Sequence, residues 1–155
     1  RWCERGGEVA VLGGAAEREL GESLVAAAGP RVLNLCGRLD LRQSAALLEG
    51  AAALLSNDSG PAHLAAAVGC PGLVLFAGTD RAGLWKPHGE GLGTLRAELA
   101  CAPCYRAVCP HDNACLRRLD LALVEGELWT RARRLPEPEP APALPGARSA
   151  PAAVG

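Results

Sequence analysis

Aromatic side chains are scarce, with one Phe, one Tyr and three Trp in 155 residues. So few rings supply no platform on which bases could stack, which argues against the aromatic mode of single-strand nucleic-acid binding. Net charge is equally thin, 17 acidic residues against 16 basic ones, so no broad basic field is available for a phosphate backbone. Lys86 is the only lysine. No apolar run approaches the roughly 20 residues that a membrane-spanning helix needs. Methionine is absent altogether. The chain opens on Arg1-Trp2-Cys3-Glu4-Arg5-Gly6, which reads as the last turn of a helix ahead of a strand. From both features we expect the N-terminal part of a longer protein to precede Arg1, and the absence of a signal peptide carries no weight.

What is present is a chain that is 49% hydrophobic, mostly Ala, Leu and Val, of a length that suits one domain with a real core. Glu8 to Leu12 reads as a buried strand ending at Gly13-Gly14. A helix pattern over Ala15 to Ala28, with Leu20, Leu24 and Ala27 on one stripe, is stopped by Gly29-Pro30. Val32 to Cys36 is the second strand, with Gly37-Arg38 as its exit turn. Asp40 is placed to cap a helix over Leu41 to Ala53, with Leu41, Ala45, Leu48 and Ala52 facing inward. Leu54-Leu55-Ser56 is the third strand, Pro61 to Val68 a helix closed by Gly69, and Leu73 to Phe76 the fourth strand. Gly93 to Ala100 suits a fifth short strand and Asp120 to Arg134 a closing amphipathic helix. From Pro136 to Gly155 the Pro, Ala and Glu content is that of a disordered tail. Alternation of strands with helices is the βαβ rhythm, which implies a Rossmann-like α/β domain: a parallel sheet with helices on both faces. Ligands of such sheets sit beyond the carboxyl ends of the strands. The turns at Gly13-Gly14, Gly37-Arg38, Asn57 to Gly60 and Ala77 to Asp80 share that edge.

One of those turns carries the chemistry. In Asn57-Asp58-Ser59-Gly60-Pro61-Ala62-His63, Ser59 is placed as an N-cap and Pro61 suits the first helical turn. Gly60 leaves no Cβ between backbone and ligand. Free N–H groups at the positive end of a helix dipole make an anion site, and His63 adds a side-chain donor. Two charge-assisted hydrogen bonds at roughly 1.5–3 kcal/mol each are too little for a tight site without further partners. A capped turn with nothing bound is the alternative, as is a plain helix-surface role for His63.

Of seven cysteines, Cys3, Cys36 and Cys70 stand singly and read as small buried residues. Cys101, Cys104, Cys109 and Cys115 form C-x2-C-x4-C-x5-C, a spacing that suits a tetrahedral structural zinc site but has only one C-x2-C knuckle. Two local disulfides or four reduced thiols are the other readings. In each case the cluster's role is to pin an irregular loop, since no His or Asp arrangement marks an activated thiol.

Three stretches together resemble glycosyltransferase family 9, the heptosyltransferase family of lipopolysaccharide assembly. They are Val11-Leu12-Gly13-Gly14-Ala15-Ala16-Glu17, the run Asn57-Asp58-Ser59-Gly60-Pro61-Ala62-His63-Leu64-Ala65-Ala66-Ala67, and Cys101 to Leu116. The resemblance covers roughly residues 1 to 134. It implies the C-terminal, donor-binding half of a two-domain GT-B enzyme, with residues 1–135 as that domain, truncated at its N-terminus, and residues 101–115 as a Cys-rich loop. By that likeness Asp58, Ser59, Gly60, Pro61 and His63 line the diphosphate and sugar of an ADP-sugar donor. Glu17 then faces the ribose, its alternative being a solvated charge in a helix's first turn. The resemblance further implies a lipopolysaccharide-type acceptor held by the N-terminal domain, which also supplies the catalytic base. No cofactor is required for the chemistry. The expected location is cytoplasmic, peripheral at the inner face of the inner membrane. Phe76-Ala77-Gly78-Thr79 departs from the family's F-G-P-T run, which puts contacts from that turn in doubt. A nucleotide-sugar epimerase-like domain and a non-catalytic nucleotide-binding module are the alternatives. Pro61 and His63 stand against the first, because such epimerases follow their D-S-G turn with a second Gly and an acidic pair.

Overall fold

The computed structural model describes residues 2–79 and 82–133. The expected tail from residue 136 lies outside them, as does Asp80 of the fourth turn. Five strands are present: β1 (Val9–Val11), β2 (Val32–Asn34), β3 (Leu54–Asn57), β4 (Gly72–Leu75) and β5 (Leu92–Leu95). The helices are α1 (Arg18–Ala28), α2 (Leu41–Gly50), α3 (Gly60–Ala67), α4 (Ala82–Trp85), α5 (Ala114–Arg117) and α6 (Leu121–Arg131). Every strand pairing is parallel, as the βαβ rhythm requires. Hydrogen bonding nevertheless divides the strands into two sheets, β1-β2 and β3-β4-β5. Among the described residues no strand joins β1 to β3, so the expected single sheet is interrupted there.

The core lies around the larger sheet. Leu48 of α2, Ala62 and Ala65 of α3, Cys70, Val74 and Phe76 around β4, and Leu92 of β5 form one buried cluster. Small side chains on α3 let it lie close on its neighbours, and both of its buried residues are alanines. Helix α2 begins with the expected cap in reciprocal form: Gln43 N–H donates to Asp40 Oδ1 at 2.8 Å and Asp40 N–H to Gln43 Oε1 at 2.9 Å. Helix α3 ends where Gly69 adopts φ +68°. Cys70 N–H then reaches Ala65 O and Gly69 N–H reaches Ala66 O, the paired bonds of a Schellman motif. Arg133 adds a charged clamp, donating to Glu49 O at 2.7 Å in the last turn of α2 and to Gly69 O at 2.5 Å just past the end of α3.

Helix α1 departs from the expected leucine stripe. Leu20 and Leu24 are 65% and 47% exposed, and Ala27 is exposed as well. The buried contact is made instead by Gly21, whose missing side chain leaves room for the Asn34 amide. Asn34 Nδ2 donates to Arg18 O at 2.9 Å and its Oδ1 accepts from Cys36 N–H at 3.0 Å, so one amide ties α1 to the end of β2. The first turn of that predicted helix is a 3-10 turn over Ala15–Glu17. Leu41 of α2, likewise expected inside, is 74% exposed. As expected, Cys36 and Cys70 are buried small residues, whereas Cys3 is half-buried.

Candidate functional site

At the carboxyl end of β3 the chain makes two bends at Asp58 and Ser59 and enters α3 at Gly60. Ser59 holds the N-cap position by backbone (φ −159°, ψ 170°), and its carbonyl accepts from Ala62 N–H at 3.0 Å. Its hydroxyl, expected as the cap, does not cap. It lies 3.1 Å from Ser56 Oγ and 3.3 Å from Asn57 O, while Ser56 Oγ donates to Asn57 O at 2.8 Å. Local hydroxyl-to-backbone bonding of this kind competes with capping, and Pro61 removes the N–H that Ser59 would otherwise meet first.

The result is an uncapped mouth. Among the described residues the N–H groups of Asp58, Ser59 and Gly60 make no hydrogen bond. Beyond its chain neighbours and its own helix, a Cβ built on Gly60 would meet no described atom within 4 Å, so the space beside Gly60 is open among the described residues. Asp58, Gly60 and His63 are exposed, and Ser59 and Pro61 half-buried. The Asp58 carboxylate makes no hydrogen bond among the described residues, while the two serine hydroxyls bond Asn57 O. Ser56 is a member of the site that the motif reading missed. A second hydroxyl three residues before Ser59 was the available signal.

Glu17 sits apart, on the turn after β1 in the smaller sheet. Its Oε2 accepts from Gly14 N–H at 2.6 Å, closing the Gly13-Gly14 turn. That turn is joined to the exit of β2 by Gly37 N–H to Gly13 O at 2.9 Å. Gly37 has φ +68°, and a Cβ there would lie 2.7 Å from Ala15 Cα, so both the dihedral and the close approach call for glycine. No described hydrogen bond or ion pair links Glu17 to the β3–α3 turn.

The cysteine loop folds onto the turn after β4. Cys104 N–H donates to Gly78 O at 2.9 Å and Tyr105 N–H to Thr79 O at 2.7 Å. Gly78 is buried against Ala102 and Cys115. Cys101, Cys104, Cys109 and Cys115 are all free thiols, and no group of three or more His, Cys, Asp or Glu among the described residues is placed to hold a metal ion. The zinc site expected from the spacing is therefore not assembled. Cys115 is buried under Gly78, Cys101 faces solvent, and Cys109 Sγ accepts from His111 N–H at 3.4 Å. Main-chain bonds to Gly78 and Thr79 pin the loop in place of sulfur ligation. Elsewhere, burial pushes the Cys70 thiol up and Arg133 draws it back in part.

Residues 1–115 match glycosyltransferase family 9 (heptosyltransferase). The chain belongs to that family. Over 113 residues it is 39% identical to lipopolysaccharide heptosyltransferase 1 of Pseudomonas aeruginosa, covering 72% of this chain and 31% of the relative. Over 63 residues it is 36% identical to lipopolysaccharide heptosyltransferase 3 of Escherichia coli, covering 41% of this chain and 18% of the relative. The chain thus spans under a third of the length of these curated relatives. Among solved structures, it is similar to the E. coli ADP-heptose lps heptosyltransferase II, with TM-score 0.59 and 26% identity over 63% of this chain and 30% of that one. It also shares its fold with the family 9 glycosyl transferase of Veillonella parvula, with TM-score 0.72 and 20% identity over 83% of this chain and 37% of that one. As a family 9 chain it has the expected Rossmann-like architecture, parallel strands with flanking helices. The match ends at Cys115, ahead of α6. No described helix is long and apolar enough to cross a membrane.

Proposed function

We propose that this chain is the donor-binding domain of a glycosyltransferase that moves a heptose-type sugar from an ADP-sugar to a lipopolysaccharide core acceptor. The open, amide-lined mouth where β3 meets α3, in a family 9 chain, carries this reading. In the transfer an acceptor hydroxyl oxygen, giving its proton to a base, bonds the anomeric carbon while the bond from that carbon to the diphosphate oxygen breaks, its electron pair leaving with the nucleoside diphosphate. The N–H groups of Ser59 and Gly60, the Ser59 hydroxyl and the His63 ring would be the donors that meet that growing charge. Fixed dipoles of this kind stabilise a leaving group with no need for a metal. Asp58 would repel a diphosphate, but its carboxylate, free of the turn, suits a sugar hydroxyl. Glu17 keeps one carboxylate oxygen beyond its bond to Gly14, which suits a ribose hydroxyl.

None of these residues is a base for the acceptor. We assign that base, and the lipopolysaccharide-type acceptor site, to the other half of a GT-B enzyme acting at the cytoplasmic face of the inner membrane. The 155 residues alone should not catalyse transfer. An epimerase-like reading is disfavoured by Pro61 and His63 after the D-S-G turn. Titration of the chain with ADP-heptose, against UDP- and GDP-sugars, tests the proposal. A preference for the adenine donor is expected. Equal binding of all three would overturn it and favour a general nucleotide-binding module.

A further inference from the structure

We infer that Ser56 is a positioning residue that frees the Ser59 hydroxyl to donate to the bound diphosphate; this rests on the reading that the β3–α3 turn holds the donor. The number of hydroxyl protons decides the roles. The Asn57 carbonyl, at the last residue of β3, has two hydroxyls within reach: Ser56 Oγ at 2.8 Å and Ser59 Oγ at 3.3 Å. Each hydroxyl owns one hydrogen. Ser56, the closer, spends its hydrogen on Asn57 O. Ser59 is then left with a hydrogen that Ser56 Oγ can accept at 3.1 Å, with the same carbonyl at the longer distance. Turning that hydrogen toward a phosphate oxygen strands nothing, because Asn57 O keeps its bond to Ser56. The Ser59 hydroxyl is also free of the helix it would ordinarily cap.

Remove the Ser56 hydroxyl and the count changes. Among the described side chains Asn57 O then has only the Ser59 hydroxyl as a donor beside water, and a ligand must compete with that carbonyl for the same hydrogen. The strand, the turn and the amide mouth need not move for this to happen. Ser56 therefore acts on the ligand only through Ser59.

A double-mutant cycle read by ADP affinity tests this, with NMR titration of the 155-residue chain as the assay. Ser56→Ala and Ser59→Ala should each weaken ADP binding by about ten-fold, the lower end for one charge-assisted hydrogen bond. The double variant should be no weaker than Ser59→Ala alone, since both changes delete the same donated hydrogen. Ser56→Thr, which keeps the hydroxyl, should restore the parent affinity. A residue that merely supported the turn would lower affinity by the same factor whether or not the Ser59 hydroxyl is present. Such additivity, or full affinity in Ser56→Ala, overturns the inference while leaving the donor-site reading intact. Absence of ADP binding by the unaltered chain overturns both.

Discussion

Replacing His63 with alanine separates the proposed donor site from the fold most cleanly. His63 is the fourth residue of α3, exposed, and its side chain makes no hydrogen bond among the described residues. Alanine is also the best helix former, so the substitution removes no packing and no cap. Stability should change by less than about 0.5 kcal/mol, as for surface positions free of special features. Binding should respond differently. A hydrogen bond between a donor ring and a diphosphate is charge-assisted, and such bonds contribute about 1.5–3 kcal/mol. The mouth is open to water on the Gly60 side, which puts the loss toward the lower end of that range. At about 1.4 kcal/mol per tenfold, ADP-heptose affinity should fall about 10- to 30-fold. Calorimetric titration of parent and variant, with thermal melts on the same samples, supplies both readouts. Unchanged affinity with an unchanged melt would return His63 to the role of a surface residue. A large drop in Tm would mean that the helix start depends on the ring in a way the structure does not show.

Other changes test the scaffold. Gly21→Ala places a Cβ against the Asn34 amide, and such overpacking should cost about 1–3 kcal/mol, read by urea unfolding. Asp40→Ala removes the α2 cap and should cost about 1 kcal/mol in the same assay. Treatment with a chelator should leave the melting temperature unchanged, because main-chain bonds hold the cysteine loop; a clear drop would restore a metal to Cys101, Cys104, Cys109 and Cys115. Cys70 gives a pH signature. Its folded-state pKa is raised, so the unfolded chain loses this proton first. Its contribution is fully present below the ordinary thiol pKa and is lost as pH rises through the folded value. Stability should decline on the alkaline side, and Cys70→Ala should flatten that limb of a Tm–pH profile.

Much of this was legible along the chain because it is encoded by local chemistry. Asp40 with Gln43 spells a reciprocal cap, and Gly69 spells a left-handed helix end. Alternating apolar runs and helices place all five strands, the last one shorter than the pattern suggests because Leu95 ends its pairing with β4. What stayed hidden depends on contacts between distant residues. Gly21 reads as a weak point in a leucine-faced helix, yet the space it leaves is filled by Asn34, 13 residues on. The four-cysteine spacing points to a metal knot, whereas the loop is fastened by amides to Gly78 and Thr79, which no spacing rule registers. Ser59 is placed to cap α3, and only the hydroxyl positions reveal that Ser56 and Asn57 draw it away.

Helix α3 is treated unequally at its two extremities. The Schellman bonds quieten its last carbonyls and Arg133 sits on Gly69 O just beyond them, whereas among the described residues its leading amides are left unanswered. Its eight residues span about 12 Å, beyond the screening length of roughly 8 Å at physiological salt. A guanidinium at the tail is therefore barely felt at the head. Substitutions that alter robustness and substitutions that alter what meets the open amides can fall on opposite tips of one short rod without trading against each other.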